Sequence, residues 1–292
     1  MPEKPEVITV AKKLENKLIG KKILSVEVYH NNMIDYPSVD ELKSEIKNQE
    51  IHSITTRGKW IELTLDDYFL LFHLRMEGKF FFRKKGDERG KHEHVIFNLS
   101  DETQMRFADV RKFGKVMLIP KDKINKMKPY TELGLEPWDK NLTSNYLKEK
   151  YSKKTLPIKS VLLDQSIITG IGNIYADEIL FLSKINPLKK AKELTDSDRK
   201  NIIKNTIEVL DKAILEGGTT IRSYTSEEGV TGLFQNNLYV HQREKEKCKK
   251  CNSTIIKIKV GGRGTYYCPN CQKEWKLVSS TNFFNAFIKI CK

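Results

Sequence analysis

The sequence has 292 residues, with 52 Lys or Arg against 38 Asp or Glu for a formal charge of +14, and is 39% hydrophobic and 9% aromatic. At roughly 100–200 residues per domain this predicts two folding units, each with material for a core, and excludes extended disorder. No apolar run approaches the ~18 residues of a bilayer span, and the start Met-Pro-Glu-Lys-Pro-Glu lacks the charged-then-apolar order of a signal peptide. Membrane insertion and secretion are therefore not expected. Four of the five cysteines fall between 248 and 271, which argues against a disulfide scaffold and for a reducing, cytoplasmic setting.

Val7, Val10, Ala11, Leu14 and Leu18 recur at helical spacing before Gly20, predicting a helix over 6–19 with Pro2 and Glu3 beside its start. From about 22 to 118 the pattern changes to short β-prone runs at 24–28, 60–63, 69–72, 80–82, 95–99 and 116–119, separated by turn residues. That spacing predicts a sandwich or barrel. Residues 120–140, rich in Lys, Pro, Asp and Gly, are the expected hinge. Beyond it the periodicity is helical over 145–151, 161–165 and 174–182, followed by a long helix capped by Thr195 or Asp196 and stopped by Gly217-Gly218. The expected class is α+β, with no internal repeat.

Residues 241–276 hold ten Lys or Arg against three Glu, half of the net charge in 36 residues. A localised basic surface attracts polyanions by releasing their counterions, which points to nucleic acid, although lysine-rich composition also serves solubility alone. In the same stretch, Cys248-x2-Cys251 and Cys268-x2-Cys271 stand 16 residues apart, the spacing of a tetrahedral thiolate site for one structural Zn2+. Two strands, 255–260 and 265–267, would join at Gly261-Gly262-Arg263-Gly264 and carry Arg263 at the tip. Metal binding worth about 10–16 kcal/mol exceeds what so small a hairpin gains by burial. Arg263 is thus a candidate DNA contact, its planar guanidinium held on a stapled hairpin.

The segment Ile168-Thr169-Gly170-Ile171-Gly172-Asn173-Ile174-Tyr175 lies between two helical patterns, where its glycines permit a close turn and Asn173 starts the second helix. A helix-turn-helix joint and an ordinary helix cap both fit. A dinucleotide fingerprint does not, since the third glycine is missing.

These motifs occur in one order with the start Met-Pro-Glu-x-Pro-Glu-Val, Arg57-Gly58-Lys59, His73-Leu74-Arg75-Met76-Glu77-Gly78 and Arg111-Lys112-Phe113-Gly114. Together they resemble the bacterial formamidopyrimidine-DNA glycosylases from position 2 to about 272. The resemblance implies an N-terminal catalytic β-sandwich domain with flanking helices (1–130), a helical helix-two-turn-helix domain (131–238), a β-hairpin zinc finger (239–272) and an extension of unassigned role (273–292). The related endonuclease VIII branch generally lacks the Arg-x-Phe-Gly element that stands here at 111–114.

By the same resemblance, a monomer excises oxidised purines from damaged double-stranded DNA and cleaves the strand by β,δ-elimination. Pro2, freed of Met1, is the nucleophile and Glu3 the acid/base, with Glu6 beside it. Lys59, His73, Asn173 and Arg263 clamp phosphates, Lys59 and Arg263 counting with the catalytic set. Met76, Arg111 and Phe113 fill the void left by the extruded base; His94 and Lys159 join the DNA-binding set. For Met76 and Phe113 taken alone, core packing is the commoner role of such residues. Lys4, Arg75 and Val110 depart from the family pattern, and 225–235 corresponds to the loop that closes over an extruded purine. Two alternatives stay open: an enzyme preferring oxidised pyrimidines, and a DNA-binding protein that kept the fold without the catalysis.

Overall fold

The computed structural model describes residues 1–219 and 233–273. Helix α1 (Lys4–Leu18) opens the chain. The sandwich then follows as β1 (Lys22–Val28), β2 (Ile34–Tyr36), α2 (Val39–Glu45), β3 (Gln49–Glu50), β4 (Ser53–Arg57), β5 (Trp60–Thr64), β6 (Tyr68–His73), β7 (Lys79–Lys84), β8 (Glu93–Leu99), β9 (Thr103–Ala108) and β10 (Lys115–Pro120). The second half carries α3 (Ser144–Tyr151), α4 (Ile158–Leu162), α5 (Asn173–Leu182), α6 (Asp196–Leu215), β11 (Ile256–Val260) and β12 (Arg263–Tyr267).

The ten strands before α3 form two five-stranded sheets, β3-β1-β8-β9-β7 and β2-β10-β6-β5-β4, antiparallel except for β2 beside β10. Their alternating apolar residues meet in one core around Phe72, Phe97 and Phe107, which the apolar stripe of α1 joins through Val7, Val10, Ala11, Leu14 and Leu18. α1 packs on β4 and β5 on one side and on α6 on the other. The helix at the front of the chain is therefore shared between the two halves.

Five elements, β2, α2, β3, β4 and β9, were not foreseen from the sequence. α2 starts at a Ser38–Glu41 capping box, a local signal overlooked among turn residues. β9 was hidden by Gln104 and Arg106, polar residues in a buried strand. Arg106 is fully buried because its guanidinium meets Glu93 at 2.7 Å, Gln104 and two backbone carbonyls. β3 and β4 are too short or too polar to show an alternating pattern.

In the second half, Thr195 caps α6 by accepting the Asp198 N–H, and Gly217 and Gly218 end it at φ 74° and 83°. Both expectations hold. α4 starts three residues earlier than expected and stops at 162, because Asp164 captures the backbone N–H and hydroxyl of Ser166 and turns the chain. Residues 163–172 then make two successive turns before α5. The hairpin also needs a correction. Gly261 and Gly262 alone form the turn, at φ 54° and 78°, and Arg263 is the first residue of β12, paired with Val260.

Candidate active site and DNA interface

The amino-terminal residues are held by the second half of the chain. Glu3 projects its carboxylate onto the N-terminus of α5, where Oε2 accepts the Gly172 N–H at 2.7 Å and Oε1 that of Ile174 at 2.9 Å. Those N–H groups have no intrahelical partner, so the carboxylate caps the helix from across the domain junction. Gly172 is required by closeness, since a Cβ there would sit 2.3 Å from Glu3 Cδ. The Lys4 backbone N–H donates to Gly170 O, and its ammonium meets Glu136 at 2.9 Å.

Glu6 supports this arrangement from below. Its Oε2 accepts the Glu3 N–H at 2.8 Å, while Oε1 accepts the Tyr175 hydroxyl at 2.6 Å and the Thr219 N–H at 2.8 Å. Burial and the neighbouring Glu3 charge raise its pKa above the usual carboxylate range, and these donors pull it partly back.

The amino terminus opens into a cleft of about 2020 Å3 lined by both halves, with Glu3, Lys59, His73, Met76, Asn173 and Arg263 on its wall. Burial lowers the pKa of the terminal amine below 8.0; Glu3 and Glu6 oppose this, and Lys59 and Arg263 add to it. Lys59, in the turn just before β5, donates to Ile171 O at 2.8 Å, and burial lowers its pKa against the pull of Glu3 and Glu6. His73 ends β6, edge-on to Trp60. Its Nδ1 accepts the Arg75 N–H, which leaves the ring hydrogen on Nε2. Arg263 is exposed, and among the described residues its guanidinium has no partner. Asn173 spends one amide hydrogen on Gly264 O at 3.0 Å, tying α5 to the finger beside Arg263.

Lys159 and His94 need correction as direct DNA contacts. Lys159 is fully buried, its ammonium bonded to Asp177 at 2.6 Å and to the Asn173 carbonyl at 2.7 Å. It braces α5 from inside. His94 is also buried, and its Nε2 lies 3.1 Å from Asp109 O, an oxygen that can only accept, so it holds the 110–113 loop from behind. Burial lowers its pKa. The loop itself projects Phe113, 50% exposed, beside Met76, 41% exposed. Arg111 bridges them, its guanidinium 2.8 Å from Met76 Sδ and 4.8 Å from the Phe113 ring. Core packing is thus excluded for both apolar residues.

Two supports were invisible in the sequence. Glu178 accepts the backbone N–H groups of Tyr239, Val240 and His241, and Gln272 bonds Ile185 O, both fastening the finger to the helical half. No local pattern distinguishes such carboxylates and amides from surface ones. The four finger sulfurs lie within 4.8 Å of one another, with 3.9 Å between Cys248 and Cys271 and 3.4 Å between Cys251 and Cys268. Four thiolates ~2.3 Å from one tetrahedral ion would stand roughly 3.8 Å apart, so the site fits Zn2+. Backbone N–H groups of Lys250 and Cys271 point at two of the sulfurs. The segment 225–232, the tail from 274 onward and Cys291 lie outside the described residues.

Comparison with known proteins agrees along the chain. Family models match residues 1–116 (formamidopyrimidine-DNA glycosylase N-terminal domain), 133–225 (its H2TH domain) and 245–273 (a zinc finger found in FPG and IleRS). The formamidopyrimidine-DNA glycosylase of Oceanobacillus iheyensis is 43% identical over 273 residues, 93% of this chain and 98% of that one. That of Exiguobacterium sibiricum is 44% identical over 94% and 99%. Among solved structures, a Lactococcus lactis FPG variant in complex with Fapy-dG-containing DNA superposes with a TM-score of 0.87 at 40% identity, covering 94% of this chain and 100% of that one. MutM in complex with carbocyclic 8-oxo-G-containing DNA gives 0.86 at 40% identity, covering 94% and 100%. With its three segments matched in order and the paired cysteines in place, this chain belongs to the formamidopyrimidine-DNA glycosylase family.

Proposed function

We propose that this protein is a base-excision repair glycosylase and abasic-site lyase that removes 8-oxoguanine and formamidopyrimidines from duplex DNA. The observation that carries this is the Glu3 carboxylate seated on the α5 N-terminus beside the amino terminus, with Lys59 and Arg263 on the same cleft wall. With Met1 removed, the secondary amine of Pro2 attacks the anomeric carbon of the damaged nucleotide, the glycosidic bond breaks and the base leaves with its bonding electrons. An α-amine titrates near pH ~8 against ~10.4 for lysine, so far more of it is nucleophilic at neutral pH.

Attack by a secondary amine leaves an iminium without an N–H to lose. Its fixed positive charge accepts the electron pair left when the adjacent C–H proton departs, and the resulting enamine returns electrons along the sugar to expel the 3′ phosphate, and after a second deprotonation the 5′ phosphate, each leaving with its C–O bonding pair. Glu3 protonates the opening sugar ring and relays protons. Lys59, His73, Asn173 and Arg263 hold the flanking phosphates, while Met76, Arg111 and Phe113 enter the gap left by the extruded base. The four finger cysteines would hold a structural Zn2+ that stiffens the hairpin carrying Arg263. The domains divide at 130, 238 and 272, and the enzyme works as a monomer in the bacterial cytoplasm. Among the described residues no helix is long and apolar enough to cross a membrane.

Borohydride trapping on an 8-oxoguanine:C duplex tests this. A reduced conjugate linked through Pro2 of processed protein is expected, and linkage at a lysine, or through a retained Met1, overturns the mechanism. Faster cleavage of thymine glycol than of 8-oxoguanine or formamidopyrimidine duplexes would move the enzyme to oxidised pyrimidines.

A further inference from the structure

The loop bearing Arg111 and Phe113 is organised by one buried carboxylate. Asp109 is 1% exposed, yet among the described residues no cation pairs with it; its oxygens take the backbone N–H groups of Arg111 at 2.8 Å, Phe113 at 3.0 Å and Gly114 at 2.7 Å. Its own backbone is fixed as well. The Asp109 N–H donates to His92 O, and its carbonyl receives the Lys112 N–H and the His94 ring. Around this hub Lys112 takes a left-handed φ of 59°, and Gly114 passes so close that a Cβ would lie 2.7 Å from Phe107 and 3.2 Å from the Asp109 carboxylate.

Exposed apolar side chains on a four-residue loop have no core to keep them in place. Here Val110 is 58% exposed in addition to Phe113, so the local backbone is held by Asp109 rather than by burial of its side chains. We propose that Asp109 is a positioning residue that preassembles the Met76–Arg111–Phe113 wedge, so that the ordering cost of base extrusion is met before DNA arrives. This rests on the functional assignment above. It extends that assignment to a residue that touches neither DNA nor the reacting atoms.

A preformed wedge matters only where a void must be filled. Asp109→Ala should therefore slow single-turnover excision from an 8-oxoguanine:C duplex on the order of tenfold or more, while cleavage of a single-stranded abasic oligonucleotide stays at the wild-type rate. Asp109→Asn keeps one acceptor oxygen and should fall between them. A 2-aminopurine beside the lesion should report less unstacking with Asp109→Ala. Equal loss on both substrates, or loss on neither, overturns the proposal, and melting curves with zinc content identify a variant that has unfolded. If Asp109→Ala is such a variant, Asp109→Asn decides by the same two rates. Wild-type protein inert on both substrates would instead overturn the functional assignment, and the wedge with it.

Discussion

Glu3 and Gly172 are 169 positions apart in sequence and share a 2.7 Å hydrogen bond, which makes the end of one helix the binding site for the start of another. α1 belongs to the sandwich core, but the residues ahead of it are shaped by α5. The neighbourhood of the amino terminus is thus a property of the junction between the two halves.

Gly172→Ala should damage that junction. The backbone at 172 has φ −127°, so strain is not the cause; the methyl would overlap Glu3 Cδ. Overpacking of this kind costs about 1–3 kcal/mol. We expect a corresponding drop in unfolding free energy and, with Glu3 displaced, a fall in borohydride-trapped conjugate of about tenfold or more. Unchanged trapping would show that Glu3 is not held by this contact.

Lys159→Met should act on stability and leave the salt dependence of DNA binding alone. Removing the ammonium leaves Asp177 buried with, among the described residues, the His241 ring at 2.7 Å as its remaining side-chain partner, a loss of about 3–5 kcal/mol. The slope of log affinity against log salt should match wild type, whereas Arg263→Ala should flatten it by about one. A flattened slope for Lys159→Met would restore that lysine as a phosphate contact.

His73 predicts acid sensitivity. Burial, with help from Arg75 and Lys59, pushes its pKa down to about 3 from the ordinary 6.5. Between those values the unfolded chain takes up a proton that the folded chain refuses. The stability conferred by the neutral ring is complete above pH 6.5 and is lost as pH falls towards 3, amounting to about 2 kcal/mol at pH 5. Urea unfolding should show the advantage of wild type over His73→Gln shrinking by about that amount between pH 7.5 and pH 5.

Zinc removal should detach recognition from the sandwich. Without the ion the hairpin lacks its main source of folding energy, so Arg263 and the Gly264 carbonyl that receives Asn173 lose their fixed positions. Chelation, or Cys251→Ser, should weaken binding to a duplex holding an abasic-site analogue by about tenfold or more, read by anisotropy. The sandwich melting transition should persist, and one zinc per chain should be found in active protein.

Local patterns made much of this protein legible. Apolar periodicity marked α1 and six of the ten sandwich strands, Thr195 and Gly217 marked the ends of α6, and paired cysteines marked the finger, because each signal is complete within a few residues. The family resemblance of the ordered motifs nominated Pro2, Glu3 and Lys59, and the basic stapled hairpin nominated Arg263. Their neighbourhood was not legible. Lys159 and Arg106 look like surface cations until Asp177 and Glu93 are found against them, and Asp109 looks like a turn residue until three backbone N–H groups converge on it. Burial and hydrogen bonding between distant segments decide whether a charge faces solvent, supports a loop or braces a helix, and those partners meet only when the chain has closed on itself.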